Sequence, residues 1–308
     1  MGRILRAVVL GMLATQGIRA QAPDRPAPPR PYRGGVDLIT LNVSVTDRQQ
    51  RFVTDLGKQD FTVLEDGRPQ AVSFFAYSGV PLTVAIVLDT SGSMDNAIGA
   101  AQEAASGFIR RLGEGDRAAV VDFDTRVRVL QPFTTDRDAL ERAVRSTVPD
   151  GQTALYDAVY QSLQELASVA YADVDTPRRH AIVLLSDGQD TSSKQQLETV
   201  LDLANRSNTA IYAVGLGERD EGGRVSTFEA EFALRRMARQ TGGRAFFPTN
   251  VQQLHGIYNE IRRDLASQYT LAYSSNNTRR DGRWRNVTVL LAERDLDAHT
   301  RPGYFASR

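Results

Sequence analysis

The 308-residue chain is 41% hydrophobic and 24% charged, a balance that excludes a fibrous or wholly disordered architecture. Its 37 basic residues face 37 acidic ones and it has no cysteine, so no global field recruits nucleic acid or anionic lipid, and disulfides, thiolate zinc sites and a cysteine nucleophile are all excluded. In chain order, residues 1–22 carry Arg3 and Arg6, an apolar run from Ala7 to Ala14, and small residues at Ala20 and Ala22. That is the arrangement of a secretory signal peptide, with an apolar run shorter than the roughly 20 residues of a membrane span. Its removal takes Arg3, Arg6 and Arg19 and no acid, leaving 34 basic residues against 37 acidic ones. A mildly acidic protein of the cell envelope, periplasm or exterior is expected. Residues 23–35 form a proline-rich linker without apolar periodicity, expected to be extended.

Residues 36–80 have β texture. Ile39, Leu41, Val43 and Val45 alternate with Thr40, Asn42, Ser44 and Thr46, the period of a half-buried strand. Phe61 and Val63, then an Asp66-Gly67 turn, then Val72, Phe74 and Ala76 give a hairpin signal. Residues 81–266 change character, because apolar strands such as "LTVAIVLD", "RAAVVDFD", "RHAIVLLS" and "TAIYAVGLG" alternate with amphipathic helices. An edge strand is expected over Arg126–Leu130, and a final helix over Val251–Leu265. Repetition of strand and helix predicts an α/β, doubly wound, mostly parallel sheet with helices on both faces. Residues 267–308 return to β texture in "SQYTLAYSS" and "RWRNVTVLLAER". Neither flank is long enough to make a sandwich alone, so the two are expected to pair into one β-sandwich around the α/β domain.

In an open α/β sheet, ligands bind beyond the carboxyl ends of the strands. Asp89, Ser91 and Ser93 follow one strand, Asp187 follows another, and Thr153 in "PDGQTALYD" opens a helix. Two carboxylates and three hydroxyls are all oxygen donors, which favour magnesium, manganese or calcium over zinc or copper. The start of the first helix, near Met94, is expected to add a positive dipole that favours an incoming anion. Taken singly, Ser91, Ser93 and Thr153 also read as helix caps and Asp187 as a turn residue. Asp95, Asp157 and Asp190 read as solvated or capping residues, and Asp122 and Asp124 as groups that hold the rim loops by hydrogen bonds.

These residues resemble the von Willebrand factor type A domain and its metal-ion-dependent adhesion site. The motif of that family, Asp-x-Ser-x-Ser, then Thr, then Asp, reads here as Asp89, Ser91, Ser93, Thr153 and Asp187. The flanks, with "DFTVLEDGRPQAVSFF" and "RPGYF", resemble exported von Willebrand A-related proteins of acidobacteria. The resemblance implies a bound Mg2+, Mn2+ or Ca2+, held directly or through water by those five residues. It also implies a protein ligand whose exposed Asp or Glu completes the metal shell, and adhesion rather than catalysis. Hydroxyls would leave the ion under-neutralised and attractive to such a carboxylate. Relatives of integrin β type carry a second metal site on acids three and four positions beyond the last Ser. Here those positions are Asn96 and Ala97, which speaks against a second ion. Ligand specificity is expected in the Gly217–Phe228 loop.

Two other readings remain open from the sequence. One is a structural envelope protein with an unused motif. The other is a magnesium-dependent hydrolase, for which no Walker lysine loop or Gly-x-Ser-x-Gly elbow appears. His180, His255 and His299 lie in unrelated segments, so no general base accompanies the cluster.

Overall fold

The computed structural model describes residues 38–77, 80–172, 178–187, 189–216 and 228–307. The expected signal peptide, the linker and all but the last residue of the Gly217–Phe228 loop lie outside them. Before the α/β portion come β1 (Leu38–Asp47), β2 (Phe61–Glu65), β3 (Arg68–Gln70) and β4 (Val72–Tyr77). The α/β portion runs β5 (Leu82–Asp89), α1 (Ile98–Ile109), β6 (Arg117–Phe123), β7 (Val127–Thr134), α2 (Arg137–Arg145), α3 (Leu155–Ala172) and β8 (Arg179–Ser186). It continues with α4 (Leu197–Arg206), β9 (Thr209–Gly215), α5 (Phe228–Thr241), β10 (Ala245–Phe246) and α6 (Leu254–Ala266). Then follow β11 (Tyr269–Ser274), β12 (Trp284–Leu291), β13 (Leu296–His299) and β14 (Gly303–Phe305).

Strand β5 is the axis of the central sheet, whose order is β10-β9-β8-β5-β6-β7. Every residue of β5 is buried, which is why it reads as a continuous apolar run and not as an alternating one. Its side chains still alternate between two layers. Val84, Ile86 and Leu88 pack with α1, α2 and α6, while Ala85 and Val87 pack with α3, α4 and α5. All pairings are parallel except β6 with β7, the edge hairpin expected near Arg126–Leu130. From β5 the chain first winds outward through β6, then returns to place β8 on β5's other side, so the strand order reverses at β5. A crevice must open at the carboxyl ends of β5 and β8.

The flanks make two four-stranded sheets, β13-β1-β11-β4 and β14-β12-β2-β3, each containing strands from both sides of the α/β portion. Ile39, Leu41, Val43 and Val45 of β1 and Tyr269, Leu271 and Tyr273 of β11 meet Phe61, Val63, Val287 and Tyr304 of the facing sheet in one apolar core. The period of two in β1 thus reports the inner face of a sandwich, and each fully buried Val or Leu there contributes about 1.5–3 kcal/mol. The expected hairpin differs in one respect. Of the residues expected to return along β2, only the short β3 pairs with it, and after Ala71 the chain crosses to the other sheet, where β4 pairs with β11. Three residues containing Pro69, which lacks a donor, support a short edge and no more.

The α/β portion begins after β4 and ends in β11, and these two strands are antiparallel neighbours with Tyr77 opposite Tyr269. Their rings lie 4.9 Å apart, and Tyr269 also touches Phe61 and Phe75. Just before β11, at the end of α6, Asp264 is fully buried. The Ser44 hydroxyl of β1 donates to it, Arg244 Nε lies 3.0 Å from its Oδ2, and the Tyr212 hydroxyl of β9 also favours its charged form. Burial pushes the Asp264 carboxyl above its usual range, while the Arg244 guanidinium opposes that shift. Among the described residues, no helix is long and apolar enough to cross a membrane.

Candidate metal centre

Strand β5 delivers Asp89 to the carboxyl end of the central sheet, and β8 delivers Ser186 and Asp187 beside it. Asp89 is fully buried. The Ser91 N–H donates to its Oδ1 at 2.9 Å and the Ser186 hydroxyl to its Oδ2 at 2.6 Å. Burial pushes the Asp89 carboxyl up to about 6, the hydrogen bonds from Ser186 and Ser91 pull it down, and the charge on Asp187 pushes it up again.

Beyond Asp89 the chain makes one tight turn, Gly92–Met94. Ser91 sits at the cap position of this turn, but its side chain makes no capping bond. Instead Ser91 Oγ lies 3.1 Å from Ser93 Oγ, and the Ser93 hydroxyl donates to Asp187 Oδ2. Four of the five residues singled out in the sequence are thus linked by hydrogen bonds, Asp89 to Ser91 through the main-chain N–H and Ser91 to Ser93 to Asp187 through side-chain oxygens. The expected helix dipole near Met94 is absent, because α1 starts at Ile98. One 3-10 turn carries too few aligned peptides to act as a helix end.

Thr153 reaches the same rim through the main chain. Asp150 N donates to Thr90 O at 2.7 Å and Gly92 N to Gly151 O at 3.1 Å, which ties the loop before α3 to the loop after β5. Gly151 holds φ at +69°, and a Cβ there would sit 2.6 Å from Thr125 Oγ1, so only glycine suits this crossing. Thr153 itself is buried. Its N–H donates to Thr191 Oγ1 at 3.0 Å, and its carbonyl accepts from Thr191 N at 2.9 Å and Ser192 N at 3.1 Å. The segment that carries Asp187 therefore also holds Thr153.

Two further acids tie α3 to that segment. Asp157 accepts from Lys194 N and Gln195 N ahead of α4, and Asp190 accepts from Tyr156 N at the start of α3. Asp122 and Asp124 are buried and pair with Arg128. Ser186, Thr191 and Arg128 were not singled out from the sequence. Only Ser186 left a signal there, as the polar residue ending "AIVLLS" before Asp187.

The donor set can be tested for its chemistry. No three His, Asp or Glu side chains gather into a metal cluster among the described residues. An ion at this rim would therefore need the hydroxyls. A buried carboxylate facing a second carboxylate, with hydroxyls between them and no cationic side chain, is an oxygen-only set suited to a hard divalent ion. Among the described residues no histidine joins these contacts.

The von Willebrand factor type A domain model matches residues 83–260, which include all five residues. The chain belongs to the von Willebrand factor type A domain family. A curated relative described as a UPF0353 protein from Mycolicibacterium paratuberculosis is 27% identical over 199 residues, which is 59% of this chain and 60% of that protein. The chain thus spans about three fifths of the length of that relative. Among solved structures, a von Willebrand factor type A protein from Catenulispora acidiphila shares the fold over 90% of this chain and 75% of its own, with a TM-score of 0.53 at 14% identity. That likeness takes in the flanking sheets as well as the type A domain. Proximal thread matrix protein 1 of the mussel byssus, described as having a zinc-occupied MIDAS motif, covers 65% of this chain and 49% of its own, with a TM-score of 0.50 at 18% identity.

Proposed function

We propose that this type A domain is a divalent-metal-dependent protein-binding module. Asp89, Ser91, Ser93, Thr153 and Asp187 hold Mg2+, or Mn2+ or Ca2+ in its place, and an Asp or Glu of a partner protein completes the metal shell. The observation that carries this reading is the run of hydrogen bonds from Asp89 through the Ser91 N–H and the Ser91 and Ser93 hydroxyls to Asp187 at the sheet's switch point. The zinc-occupied motif described for the mussel protein supports it by analogy of fold.

The ion would supply electrophilicity. The chain's own residues supply the rest: three neutral hydroxyls bind without cancelling the ion's charge, and Asp89, already costly to ionise where it is buried, gains a counter-charge. Residues 1–22 point to export and an envelope setting for such adhesion. Isothermal titration of the full chain with MgCl2 and MnCl2 tests the reading. Saturable binding in the wild type and its loss in Asp89→Ala with Asp187→Ala is the expected result. No binding in the wild type overturns it. A partner is then sought by capture from the native envelope in Mg2+ against chelator, with retention expected in Mg2+ alone.

A further inference from the structure

The turn between β6 and β7 touches both loops that carry the candidate ligands. On one side, Thr90 N and Thr90 Oγ1 both donate to Phe123 O, at 2.8 and 3.1 Å, which fixes the residue between Asp89 and Ser91. On the other, Ala154 N donates to Asp124 O at 2.8 Å and Gln152 N to Thr125 Oγ1 at 2.9 Å, which fixes the residues flanking Thr153. Four hydrogen bonds from one turn therefore set the separation between the Asp-x-Ser-x-Ser loop and Thr153. A turn of so few residues needs something to hold it.

That support is a single side chain. Arg128 presents Nε and Nη2 to the two oxygens of Asp122, at 2.9 and 2.8 Å, and Nη1 to Asp124 Oδ2 at 2.8 Å. Asp124 in turn accepts from Arg126 N at 2.7 Å through its other oxygen. Asp122 lies in β6 and Asp124 is the first residue past its end, both are buried, and without Arg128 their carboxylates would repel each other and the turn would open. The guanidinium fork matches two carboxylates at once, and an ammonium cannot.

We propose that Arg128 is a positioning residue for the metal site, locking the β6–β7 turn so that Thr153 stands at the correct distance from Ser91 and Ser93. The inference rests on the reading of those residues as metal ligands. It predicts more than a change in stability. Mg2+ demands near-ideal octahedral geometry at about 2.0–2.1 Å, whereas Ca2+ accepts longer and more variable bonds. A rim loosened at Thr153 must lose Mg2+ more than Ca2+. Simple removal of a positive charge beside a cation site works in the opposite direction and strengthens both.

Titration of the full chain with Mg2+ and with Ca2+, in the wild type, Arg128→Lys and Arg128→Gln, separates these effects. The expected result is a loss of Mg2+ affinity of about tenfold or more in both variants, the range found when supporting partners of metal ligands are removed, with a clear fall in the Mg2+/Ca2+ affinity ratio. Wild-type affinity and ratio in Arg128→Lys, or tighter Mg2+ binding in Arg128→Gln, overturn the inference and leave the metal reading intact. Absence of Mg2+ binding in the wild type overturns both. If the Arg128 variants do not fold, Asp124→Asn, which keeps the size of the side chain and removes one arm of the clamp, carries the same ratio test, and an unchanged ratio there is equally decisive against the proposal.

Discussion

Asp89 and Asp264 are both fully buried and both have carboxyls pushed upward by burial, yet the chain treats them differently. Where α6 enters the sandwich, Asp264 is met by the Arg244 guanidinium as well as by the hydroxyls of Ser44 and Tyr212. At the rim, Asp89 is met by hydroxyls, one N–H and the charge of Asp187. Asp264 has a guanidinium beside it as the chain folds, and Asp89 has N–H and hydroxyl donors and a second carboxylate. Burial and the direction of the carboxyl's shift are common to both groups, so the difference lies in the charge set beside each.

Substitutions sharpen the contrast. Asp264→Ala leaves Arg244, Ser44 and Tyr212 facing a vacated position, and the expected cost is about 3–5 kcal/mol, read as a fall in the urea midpoint with metal affinity of the folded fraction unchanged. A loss below about 1 kcal/mol would erase the distinction. Asp89→Asn should have the opposite sign in chelator, a gain of about 1–2 kcal/mol at pH 7, because a carboxyl raised from 3.8 to about 6 is held ionised there at a cost. The same variant should show no measurable Mg2+ binding.

That gain should also depend on pH. Since the folded-state value of Asp89 lies above its unfolded value, its carboxyl favours the fold below about pH 4 and loses that contribution as pH rises through about 6. In chelator, the stability difference between Asp89→Asn and wild type should therefore be small at pH 4.5 and fully open at pH 7.5. Equal differences at the two pH values would show that Asp89 is not held up by burial. The smallest effect is expected at a carboxylate that is neither structural nor binding. Arg48 and Asp295 pair with side chains 71% and 65% exposed, and Arg48→Ala should change stability by no more than about 0.5 kcal/mol.

Much of this was legible in the sequence, for reasons that differ between regions. Strand β5 and the ends of β5 and β8 announce themselves because complete burial demands an uninterrupted apolar run, after which polar residues must serve the rim. β1 was legible because one of its faces packs in the sandwich. The crossing at Ala71 was not legible, since alternation fixes which side of a strand is buried and says nothing of which sheet it joins. α1 was expected several residues too early because Gly92 N bonds to Gly151 O, a tertiary contact that takes the turn out of the helix. Arg128 was invisible for a similar reason: its link to Asp122 exists only once the β6–β7 hairpin has folded back.

The pairing of β4 with β11 also governs how the molecule carries load. The α/β portion leaves and rejoins the sandwich on adjacent antiparallel strands, with the Tyr77 and Tyr269 rings tilted against each other at the junction. A pull applied through the two flanks is borne by backbone bonds between sandwich strands in shear, and that clasp must slip before tension reaches β5.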